Sequence, residues 1–79
     1  MAVEVRERSA GYDREVKVPL YARFAISETW LIDLEQRVIA VYRNPTAQGY
    51  EVVRRFQGGQ SLSPQAVPEL DLAVDVILG

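Results

Sequence analysis

An α+β fold, one long helix packed on a small, mostly antiparallel sheet, is what three observations in this sequence predict. Several short segments alternate apolar and polar residues with the period of a strand. One segment repeats apolar residues every fourth position, as a helix does. Two strand-like runs stand only a two-residue turn apart, the spacing of an antiparallel hairpin.

Taken in order, Ala2-Val3-Glu4-Val5-Arg6-Glu7 alternates, with Val3 and Val5 on one face and Glu4 on the other. Ser9-Ala10-Gly11 interrupts the strand. A helix is expected from Tyr12 or Asp13, because Val16, Leu20 and Phe24 recur at fourth positions with Tyr21 and Ala25 beside them. Pro19 falls inside that pattern and lacks a backbone donor, so a kink or tightened turn is expected there. Thr29 to Leu34 is apolar, branched or aromatic almost throughout and reads as a strand buried on both faces, with Trp30 in the core. Glu35-Gln36 is the turn, and Arg37 to Arg43 the returning strand.

Asn44-Pro45 opens an expected loop that Gly49 ends. Tyr50 to Gln57 alternates again, Gly58-Gly59 turns the chain, and Gln60 to Ser63 is a short strand stopped by Pro64. A further extended segment is expected across Val67 to Leu72, then a single helical turn over Val74 to Leu78. No repeat, low-complexity tract or linker divides residues 1–79, so one domain is expected.

The composition narrows the chemistry. At 79 residues the chain is near the size where one core leaves about 3–5 kcal/mol of margin. It has no cysteine, hence no disulfide framework and no thiolate metal site. It has no histidine, which removes zinc-type sites, imidazole bases and Ser-His or Cys-His nucleophiles. Eleven acids against nine bases give a net charge of -2, so the chain as a whole offers DNA no attractive field, and only local arginine clusters could. The absence of a membrane-length apolar run, or of a signal-type N-terminus, makes a cytoplasmic location without membrane contact the expectation.

What chemistry remains is carried by a strand acid, Glu4, and a helix on which Asp13, Lys17 and Tyr21 stand at four-residue intervals. A carboxylate and a lysine meeting at one end of a sheet are parts from which metal-dependent nucleases are built. Lys17 is the single lysine beside eight arginines. It could position a water, or simply pair with Asp13 across a helix turn. Asp13 also suits the N-terminus of its helix. Tyr21 reads as packing with a satisfied hydroxyl, and Asp33 as a cap of the turn at Gln36, with a supporting role near the site as the alternative. Arg43, Arg54 and Arg55 could meet phosphates, yet neighbours in a strand face opposite ways, which favours a solvated sheet surface.

Together, Val3-Glu4-Val5, Tyr12 through Ala22, Ile26 through Asp33, Val38 through Pro45 and the tail from Gly59 to Leu72 resemble the Uma family of restriction-endonuclease-like proteins, within the PD-(D/E)xK nuclease superfamily. The resemblance covers nearly all of this chain but corresponds to the C-terminal half of a family domain, so a truncated endonuclease-like core is expected. It implies that Glu4 is the second acid of a Mg²⁺ site and Lys17 its water-positioning ammonium. Arg6 stands where the superfamily pattern has lysine, and the first Asp has no counterpart.

One carboxylate is a poor Mg²⁺ site, so the expected function is a catalytically inactive, self-associating relative of the nucleases. A homodimer or higher oligomer is expected through the exposed edge of the Val3–Val5 strand. The alternatives are an active Mg²⁺-dependent DNA endonuclease that completes its site by dimerisation or with a partner chain, and the partner-binding half of a split protein.

Overall fold

The fold is seen in a computed structural model, which describes residues 1–6 and 16–79. Its centre is a four-stranded sheet in the order β1-β2-β3-β4, formed by Ala2–Arg6, Glu28–Asp33, Val38–Thr46 and Gly49–Phe56. β1 runs parallel to β2, and the other two pairings are antiparallel. A parallel pair needs a crossover, and here it carries the helix α1, Val18–Arg23. A second, two-stranded sheet pairs β5, Ser61–Leu62, with β6, Leu72–Ala73, and leads into α2, Val74–Leu78.

Residues paired across a sheet share a face, so the register sorts the side chains. Val3, Trp30 and Val41 line up on one face, with Val5, Ile32 and Ile39 beside them. There Trp30, Ile32, Ile39 and Val41 pack with Leu62, Val74 and Leu78 from the C-terminal segment. Glu4, Leu31 and Ala40 occupy the other face, where Leu31, Ala40 and Tyr42 pack against Val18 of α1. β2 is buried on both sides because each face has its own cover, as its unbroken apolar run predicts.

The expectation of one long helix is corrected. Among the described residues of this segment, regular α-helix spans six, preceded by a π-type turn at residues 16 and 17. Pro19 sits in the first turn of α1, where a missing backbone donor costs little. Val18 and Ala22 are the helix positions that enter the core, whereas Val16, Leu20 and Phe24, which share the four-residue spacing, are exposed. The correct period, two residues out of phase, therefore points to the wrong face. The expected helix start at Tyr12 or Asp13 lies outside the described residues.

The helix stops at a tight backbone motif. The N–H of Ala25 donates to Ala22 O (2.9 Å) and that of Ile26 to Tyr21 O (3.1 Å), with Ala25 at φ 58°. This is a Schellman closure with alanine at the position glycine ordinarily fills.

The β2–β3 turn takes residues 34 to 37, longer than the two-residue turn expected. The loop expected from Asn44-Pro45 is also corrected: β3 runs on through Thr46 and turns only at Ala47-Gln48. Asn44 adopts φ 59°, which asparagine tolerates better than most residues, and Pro45 lies near the hairpin end, where a missing donor is accommodated. After the Gly58-Gly59 turn, Asp75 of α2 docks so closely that its Oδ1 would stand 2.7 Å from a Cβ on Gly58. The segment expected to be extended from Val67 turns first, through Leu70 N–H to Val67 O (3.0 Å), and becomes strand only at Leu72.

Candidate functional site

The helix-side face of β1 and the inner side of α1 meet over Glu4. Parity places Glu4 and Arg6 on the face that carries α1, and one helical turn places Lys17 and Tyr21 above them. Three donors converge on the carboxylate. Tyr21 OH donates a short hydrogen bond to Glu4 Oε1. Lys17 Nζ stands 3.7 Å from the same oxygen. Arg6 Nη2 lies 3.6 Å from the other oxygen, Oε2.

Glu4 is accordingly well shielded, its side chain 15% exposed against 32% for Lys17 and 33% for Arg6. By contrast Val3 and Val5, expected to face the core, stay 48% and 49% exposed. They share a face with the larger apolar cluster but stand at its rim, beside Trp30 and Ile32. The acid is the better-covered residue of this strand, because the helix sits on its side.

Tyr21 is half-buried with its hydroxyl engaged, and Glu4 is its acceptor, which periodicity alone cannot show. Asp33 does cap its turn, accepting from the Gln36 N–H at 2.9 Å. It is also registered against Arg6 on the Glu4 side of the sheet. Asp13 lies outside the described residues. Arg54 and Arg55 are exposed on β4, away from Glu4, as a solvated surface requires.

Sequence reasoning passed over a second polar centre. Glu28 opens β2 yet is only 3% exposed. Its carboxylate takes a short bond from Arg43 Nε and a 2.9 Å bond from the Gln65 N–H, while Arg43 Nη2 donates to Ser63 O at 2.8 Å. A cavity of about 400 Å³ adjoins it, lined by Met1, Ser27, Glu28 and the 64–67 turn. Both Glu28 oxygens are satisfied within the protein, which marks this centre as a clamp between sheet and C-terminal segment. Only the oddness of an acid at the head of an apolar strand hints at it in the sequence.

Glu4 offers the hard oxygen that Mg²⁺ prefers. In number the donors fall short: no group of three His, Cys, Asp or Glu side chains is placed to hold a metal among the described residues. Both Glu4 oxygens also face cationic groups already. These residues by themselves do not make a Mg²⁺ site. No helix among the described residues is long and apolar enough to cross a membrane.

A family model, Uma2, described as a putative restriction endonuclease, matches residues 1–75. No curated protein and no solved structure matches the chain.

Proposed function

This chain belongs to the Uma2 family, and from that premise we propose that it is a nuclease-like domain without cleavage activity of its own, which associates with a second copy. The observation that carries this reading is the convergence of Lys17, Tyr21 and Arg6 on Glu4. An acid and an ammonium group side by side support descent from a phosphodiesterase site. The same contacts leave the carboxylate charge-compensated, and among the described residues no group of three acids is placed to hold a metal.

Mg²⁺, where a complete site holds it, supplies a polarised phosphoryl oxygen and a more acidic water. In this chain Tyr21 fixes the rotamer of Glu4, and Lys17 places an ammonium beside it. Neither act by itself breaks a phosphodiester bond. Completing the site calls for a further carboxylate. A second copy, a partner chain, or an acid outside the described residues could provide it.

Nicking of supercoiled plasmid in Mg²⁺ or Mn²⁺ tests the reading. The wild-type protein is expected to give no more product than Glu4→Ala or Lys17→Ala. Metal-dependent nicking by the wild type that both substitutions abolish would overturn it in favour of an active endonuclease.

A further inference from the structure

We propose that β1 pairs with β1 of a second copy in one register, antiparallel and centred on Val3. This rests on the self-association proposed above and names the strand, its direction and the residue at the twofold axis.

Backbone direction limits the choices. In a strand the N–H and C=O of one residue point to the same side, and that side alternates along the chain. Leu34 N–H donates to Arg6 O at 2.8 Å, so Arg6 faces β2, and Glu4 and Ala2 face it too. Val3 and Val5 therefore turn their backbone groups toward the edge away from β2, where no other described strand pairs. Residues that exchange both bonds in an antiparallel pair stand directly opposite each other. The possible partners are thus Val3 with Val3, Val3 with Val5, or Val5 with Val5.

Two contacts decide among these. Arg6 Nη1 donates to Val5 O at 3.1 Å, so the edge acceptor of Val5 is already capped. A register centred on Val5, or one matching Val5 with Val3, would displace a guanidinium that also stands beside Glu4. Matching Val3 with Val5 has a second fault. It sets Glu4 against the partner's Glu4, and like charges directly opposite are destabilising. Val3 against the partner's Val3 leaves Arg6 in place and sets the small Ala2 of the partner subunit across from Glu4.

The apolar side chains suit the same register. Val3 and Val5, 48% and 49% exposed, lie with Met1 on the face opposite Glu4. A twofold axis normal to the sheet keeps that face common to both copies. Val3 then meets the partner's Val3, and Met1 lies beside the partner's Val5. Because alanine stands across from Glu4, this pairing brings no acid directly opposite it, in keeping with a domain that does not cleave.

The chain has no cysteine, so single introduced cysteines report the register by disulfide trapping. Cα atoms of an antiparallel hydrogen-bonded pair stand about 5.5 Å apart, within disulfide range. Val3→Cys, Val5→Cys and Val76→Cys are treated with oxidised glutathione at matched concentration. Val76, 80% exposed on α2, sets the rate of chance collision. Val3→Cys is expected to form linked dimers about tenfold faster than Val76→Cys, and Val5→Cys to match Val76→Cys. Fast linkage of Val5→Cys would overturn the register and leave self-association standing. So would fast linkage of Val3→Cys to Val5→Cys in a mixture told apart by an isotopic label. Collision-rate linkage in every case would overturn pairing through β1, and a wild type that also sediments as a monomer would remove self-association itself. Unchanged circular dichroism shows that each variant keeps the fold.

Discussion

Ala25 shows how much one residue's backbone can carry. It sits at φ 58°, in the left-handed region where a Cβ meets the following carbonyl, and it does so to close α1 through two backbone hydrogen bonds. Glycine adopts that conformation without the clash, at the cost of a looser unfolded chain. Ala25→Gly is therefore expected to stabilise the domain by about 0.5–1 kcal/mol, read as a higher urea midpoint at unchanged slope. A lower midpoint would show that unfolded-state entropy outweighs the strain. At this scale the sequence is silent: an alanine next to a helical pattern looks like one more helical residue. Trp30 makes the complementary point. Its place in the core follows from its surroundings in the chain, but not that its indole N–H is buried without a hydrogen-bond partner among the described residues.

Between elements, the pairing of Glu28 with Arg43 decides whether the C-terminal segment stays on the sheet. The carboxylate at the head of β2 binds the Arg43 guanidinium of β3 and the Gln65 backbone, and Arg43 reaches on to Ser63. Removing one partner of a buried pair leaves the other charge desolvated, which costs about 3–5 kcal/mol. Arg43→Ala should thus consume most of the margin of so small a domain. Replacing both, as Glu28→Gln with Arg43→Met, should cost clearly less than the single change, because no orphan charge remains. Thermal unfolding of the two variants checks this, and an Arg43→Ala protein as stable as the wild type would refute it. The strands themselves were legible from alternation, and so was the short helical turn at Val74–Leu78. The phase of α1 was not, because Val16-Leu20-Phe24 and Val18-Ala22 carry the same period and only the sheet chooses between them.

For the molecule as a whole, the open question is what covers β1. Among the described residues it pairs with β2 alone, and Met1, Val3 and Val5 leave apolar surface at that rim. An edge strand with apolar side chains is a template for another strand. A second copy related by a twofold axis offers the same edge in return. Self-association is therefore the expected state, with Val3→Lys/Val5→Lys shifting it to monomer while circular dichroism stays unchanged. Sedimentation velocity at high concentration checks the point, and a wild-type monomer there would contradict it.

The chain by itself determined the class of fold, the strands of the sheet, the burial of Trp30 and the family. It also determined which residues could carry chemistry, since alternation, turn residues and the lack of histidine and cysteine are all local properties. Tertiary structure decided what Glu4 is. Parity alone leaves it on one face of a strand, exposed or covered with equal ease. The crossover that makes β1 parallel to β2 brings α1 over that face, so Lys17 and Tyr21 close on one oxygen while Arg6 takes the other. Contacts between residues 4, 17 and 21 depend on how the helix is laid across the sheet. That path is set by the packing of Val18 against Leu31, Ala40 and Tyr42, and no spacing in the sequence records it.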